Sequence, residues 1–137
     1  MTKRNILKAG IHVVGITMIA NGIWMVSRAL EWFFKIPADM LATGEPNGHF
    51  IRDVGFAYVV FGFALYWSAL DLGSRRAVFL MAAFFMLAHA LGHAVEILTG
   101  LLPASHWWID FPFVLLPGLL LGALAIPRVW KKFVYEQ

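Results

Sequence analysis

The chain has 137 residues, 61% hydrophobic and 14% charged, with a formal net charge of +3 and no cysteine. Soluble domains run about 45–50% apolar and about 25% charged, so a water-soluble fold is excluded: a core of this length could not hide that much apolar surface, whereas lipid can face it. The missing cysteine excludes disulfides, thiolate metal sites and a cysteine nucleophile, and the basic residues sit in three short clusters beside apolar runs, so the positive charge does not mark a nucleic-acid binder.

The first apolar run covers residues 6–30, behind Lys3, Arg4 and Lys8. It exceeds the about 7–15 residues of a signal-peptide core and therefore reads as an uncleaved helix. Residues 31–52 are the longest polar segment, with Glu31, Lys35, Pro37, Asp39 and Thr43-Gly-Glu-Pro-Asn-Gly48. These turn formers predict an outer loop, and loops this long often carry function. The second run is 54–70, followed by a basic turn at 71–76. The third is 77–98, and a charge-free link leads to His106-Trp-Trp108. The fourth is 109–126, where Pro112 and Pro117 predict a kink or a late helix start. Arg128, Lys131 and Lys132 close the chain.

Each run is long enough to cross about 30 Å of hydrocarbon at 1.5 Å per residue. The predicted fold is a single all-α domain, an integral membrane antiparallel four-helix bundle. Lys3, Arg4, Lys8, Arg75, Arg76, Arg128, Lys131 and Lys132, eight of the eleven Lys and Arg residues, fall on one side. The positive-inside rule makes that side cytoplasmic, with both termini. The small-residue spacings Ala88/Gly92 and Gly118/Gly122 predict close helix approach.

The third run holds His89, His93 and Glu96 at i, i+4 and i+7, each within about 40° of the His89 direction on one helical face. An unpaired ionisable group at the bilayer centre costs roughly 2.5–3.5 kcal/mol, so the stripe demands partners. Two neutral imidazoles at this spacing can hold one ion, with the carboxylate completing the set. With nitrogen and oxygen ligands only, Cu, Fe and Zn all suit. His49, Arg52, Asp53, His106 and Asp110 approach the same outer level and are candidates to complete the site or orient its ligands. Arg28 is a candidate charge partner for Glu31 or Glu96. Haem is disfavoured, because His12 lies too far toward the cytoplasm to oppose His89. The alternative to a ligand role is a structural hydrogen-bond network between helices.

The stretch Pro37-Ala-Asp-Met-Leu-Ala-Thr-Gly-Glu-Pro-Asn-Gly-His-Phe-Ile-Arg-Asp-Val-Gly-Phe-Ala-Tyr58 resembles a group of small, uncharacterised four-helix bacterial membrane proteins. They share a T-G-x-x-N-x-H-F-x-R-D-x-G-x-A-Y segment. The His89-x-x-x-His93 helix and the Asp110-Phe-Pro112 start of the last run are similar to that group as well. The resemblance implies a multi-pass protein of the bacterial inner membrane and brings no catalytic residue with it.

Three functions compete at this level. The first is a metal-binding membrane protein, built on His89, His93 and Glu96, with redox or hydrolytic chemistry on a lipophilic substrate. The second is a non-enzymatic accessory subunit of a larger membrane complex or a homo-oligomer. The third is a small proton-coupled transporter, motivated by the intramembrane His and Glu.

Overall fold

The computed structural model describes residues 2–135. Among them there are helices and connecting turns but no strand. Three helices are long and apolar enough to cross a membrane, and a fourth candidate is a bent pair. Only 28% of each apolar window is buried inside the structure, so most of the apolar surface points outward. Phe84 (73% exposed), Leu98 (75%) and Trp108 (81%) are examples.

The first helix, α1 (Lys3–Ser27), starts where the Thr2 hydroxyl accepts from the Asn5 amide. It stops short of the expected residue 30. Arg28 leaves helical geometry, and the chain restarts as α2 (Ala29–Lys35). Side-chain pairing accounts for the break. Trp32 Nε1 donates to Asn21 Oδ1 at 2.8 Å, although eleven residues of straight helix would separate the two by about 16 Å. So α2 folds back onto α1, and Trp32 and Phe33 join Met25 and Ile51 in a small second core. The expected outer loop is thus partly helical, with a further 3₁₀ turn at Met40–Thr43.

The next helix, α3 (Gly48–Leu70), begins six residues before the expected 54. The reason is a cap: Asn47 Oδ1 accepts from the amides of His49 and Phe50, both at 3.1 Å. At the far end Asp71 shapes the turn into α4 (Arg76–Leu98). Its Oδ1 accepts from the Gly73 and Ser74 amides and its Oδ2 from the Ser74 hydroxyl. Gly100, at φ 77°, ends α4 in the left-handed conformation that favours glycine.

The last run is segmented. A single turn, α5 (His106–Ile109), leads into a π-type turn at Phe111–Leu115, then α6 (Leu116–Ala125) and α7 (Pro127–Val134). Pro112 supplies no amide to a regular α ladder. The Leu115 amide reaches back five residues to the Asp110 carbonyl instead, at 3.0 Å. Ile126, ahead of Pro127, is extended (ψ 125°), and α7 leaves the α6 direction by 88°.

The tightest seam joins α1 and α3. A Cβ on Gly15 would lie 2.8 Å from the Gly62 carbonyl oxygen, and one on Gly22 would lie 2.6 Å from that of Gly55. In reverse, a Cβ on Gly62 would lie 2.8 Å from the Gly15 carbonyl oxygen and one on Gly55 would lie 3.0 Å from that of Gly22. Pairing 15 with 62 and 22 with 55 makes the two helices antiparallel. Gly118 meets the Met86 carbonyl and the Ala90 side chain across α6 and α4, as its spacing predicted. Gly92 does not follow its prediction: a Cβ there meets nothing within 4 Å, so the Ala88/Gly92 face is not an intramolecular seam.

Candidate functional site

The polar residues of the last run and of α4 converge at the end of the molecule opposite the basic clusters. Asp110 is the centre. Its side chain is 4% exposed, and its Oδ2 receives His93 Nδ1 at 2.8 Å and His106 Nδ1 at 3.2 Å. His106, one helical turn before Asp110, is 1% exposed. A carboxylate oxygen only accepts, so each Nδ1 carries the hydrogen and each Nε2 presents a lone pair when its ring is neutral. A buried carboxylate is costly unless hydrogen-bonded, and these two donors satisfy it.

From this centre the polar chain runs both ways. Outward, His106 Nε2 faces Asp39 Oδ2 at 3.9 Å and is buried with no hydrogen-bond partner among the described residues. With His106 neutral, two acceptors face each other across that gap; a proton on Nε2 makes the pair donor and acceptor. Asp39 is half-exposed at 54% and sits at φ 41°, a left-handed conformation sparsely used outside glycine. Inward, the His93 ring meets the His89 ring edge to face, centroids 4.7 Å apart. His89 Nε2 then shares a 2.9 Å hydrogen bond with the Tyr58 hydroxyl of α3. Beyond His89 the chain meets aromatic carbon: Phe85 stacks near His89, and Phe61 lies against Phe85 at 4.3 Å.

The expected site residues therefore divide. His89 and His93 are adjacent, as their spacing required, and His106 and Asp110 join them. Glu96 does not: it is exposed and makes no side-chain hydrogen bond or ion pair among the described residues. His49, Arg52 and Asp53 stay on the exposed first turns of α3, His49 paired with Asp53 at 3.5 Å and Arg52 Nη1 on the Gly48 carbonyl. Arg28 pairs with Glu31 at 3.1 Å. The bonds that Arg28 and then Lys35 donate hold the Glu31 carboxyl below the usual carboxylate range. His12 packs on Tyr66 away from the cluster.

Sequence reasoning missed Tyr58 and Asp39. A phenol in an apolar run needs a partner, and that rule marks Tyr58. Nothing local marks Asp39. Among the described residues, no group of three His, Cys, Asp or Glu side chains is placed to hold a metal ion. Beside the cluster, an apolar recess of about 220 Å³ is lined by Ala90, Leu91, Ala94, Trp107, Phe111 and Leu115, among others. Ala94 and Phe111 adjoin His93 and Asp110 in sequence. Comparison with protein-family models, curated proteins and solved structures finds no match.

Proposed function

We propose that this is a multi-pass protein of the bacterial inner membrane, both termini cytoplasmic, with an acid–base site in the outer half of its bundle. The site exchanges protons with the outer face through Asp39 and His106; Asp110 accepts from both His106 and His93, so protons go on to His89 and Tyr58 only as the His93 ring changes tautomer and frees its Nδ1 to accept. There they serve redox or hydrolytic chemistry on a lipophilic substrate, for which the apolar recess offers access from lipid. The observation that carries this reading is the single Asp110 oxygen shared by two imidazoles. Ionisable groups inside a span are costly, and they mark proton relays and substrate sites. The Phe85–Phe61 stack closes the relay on the cytoplasmic side, which favours one-sided acid–base work over a conduit.

The test is deuterium exchange of imidazole N–H groups in oriented, reconstituted vesicles, read by ¹⁵N NMR. His106, His93 and His89 exchange from the outer side. In Asp110→Leu, His93 and His89 exchange at least about tenfold more slowly while His106 does not. Equal exchange in the variant, or full protection of His89 in the wild type, rejects the relay.

One observation favours a second reading, a Cu, Fe or Zn site. His106 Nε2 is oriented from behind by a carboxylate, as metal-bound histidines are, and a second carboxylate stands 3.9 Å away. That reading centres on the facing pair His106 and Asp39, and an ion there would take its remaining ligands from water or a bound molecule. Stoichiometric metal in purified protein, lost in His106→Gln, would establish it.

A further inference from the structure

At the basic end α7 is fixed crosswise. It departs from α6 by 88°, and Trp130 and Val134 are buried in the main core, the Trp130 ring 4.7 Å from Phe79. Arg76 Nη2 donates to the Ala125 carbonyl at the elbow (3.2 Å), and the Tyr135 hydroxyl donates to the Gly73 carbonyl past the end of α7 (3.0 Å). With the fourth run, 109–126, crossing the bilayer, as the spanning reading has it, a helix held at this angle to its last segment lies along the membrane surface.

Its polar face is wholly basic. Arg128, Lys131 and Lys132 are exposed, and Lys3, Arg4, Lys8, Arg75 and Arg76 stand at the same end. The one described carboxylate there is Asp71, which is taken up by Gly73 and Ser74. Hydrogen-bond acceptors are scarce as well. Arg76 Nε and Trp130 Nε1 are both buried without a partner among the described residues, and the guanidinium carbon lies 5.9 Å from the Trp130 ring centre. The flank of α7 is apolar and half-buried, at Val129 and Phe133.

We propose that the α6–α7 elbow and the basic face of α7 bind the headgroups of anionic phospholipids. A phosphodiester brings the negative charge and the acceptor oxygens that are scarce among the described residues of this end. The acyl chains of the same lipid suit the Val129–Phe133 flank. An acidic soluble protein would meet the same cations, but it has no use for that flank or for a helix held at headgroup depth.

The experiment uses the full chain in neutral detergent, titrated with phosphatidylglycerol or phosphatidylcholine. The readouts are thermal unfolding and the lipid retained in native mass spectrometry. Phosphatidylglycerol is retained at least about twofold better and raises Tm more, and both preferences shrink between about 50 and about 500 mM salt. Arg128→Gln/Lys131→Gln/Lys132→Gln abolishes the preference, whereas Lys3→Gln/Arg4→Gln keeps most of it. Inorganic phosphate leaves Tm unchanged. Equal retention of the two lipids, an undiminished preference in the triple variant, or a phosphate effect as large as the lipid's overturns the proposal. A chain that inserts into bilayers without lipid preference removes the lipid site alone, whereas one that does not insert removes the spanning reading.

Discussion

Asp110 holds two imidazoles, His106 buried and His93 partly so, whose Nδ1 donors would otherwise lack an acceptor. Replacing it with Ala leaves both unsatisfied, and the expected loss is about 2–5 kcal/mol in a reversible unfolding assay in detergent. Tyr58→Phe keeps the ring against Phe85 and deletes only the 2.9 Å bond to His89, so about 0.5–1.5 kcal/mol is expected. Glu96→Gln should fall within about 0.5 kcal/mol, as surface changes do. The same contrast measures what the sequence revealed. The i, i+4 spacing of His89 and His93 made them neighbours in advance. It could not show that Glu96, three residues on, would face outward while Asp110 arrived from another helix, because helix pairing is not encoded in local spacing. Asp71 gives a pH-dependent case. The Ser74 hydroxyl, then backbone amides, hold its carboxyl below the usual carboxylate range. Its folded-state pKa is depressed, so its stabilisation is present above the unfolded value of about 3.9 and is lost as pH falls through the folded one. Asp71→Ala should therefore lower Tm at pH 7, and the gap from wild type should close below about pH 4.

The helices were legible as apolar runs, but their ends were set by features that hydropathy does not register. Asn47 moves the start of α3 back to Gly48 by capping. Trp32 and Asn21 fold the end of the first run back on itself. Small residues were read at Ala88/Gly92, where nothing packs, and overlooked at Gly15, Gly22, Gly55 and Gly62, seven apart on each partner helix, where the backbones meet. A four-residue spacing is the familiar signal, and this seam uses a different one. Two glycine-to-alanine variants separate the cases. Gly22→Ala drives a methyl to 2.6 Å from a carbonyl oxygen and should cost about 1–3 kcal/mol. Gly92→Ala should be neutral or stabilise by up to about 1 kcal/mol. Thermal unfolding of the pair in one detergent decides the matter.

For the molecule as a whole, composition alone pointed to lipid, and the structure agrees to the extent that three helices, or four with the bent pair, are long and apolar enough to cross. The proposed orientation rests on the segregation of charge. Because the chain has no cysteine, single introduced thiols report on it cleanly. Glu45→Cys should react with a membrane-impermeant maleimide in intact cells, and Arg128→Cys only after permeabilisation. The opposite pattern would invert the topology and put the histidine cluster on the cytoplasmic side. The α1–α3 seam also bears on how such a molecule can move. With carbonyl oxygens seated against glycine at both crossings, neither helix can slide or roll past its mate without driving side chains into backbone. The two therefore behave as one stiff plank, and the regular helical ladder is interrupted instead in the other half, at the proline-containing stretch Phe111–Leu115.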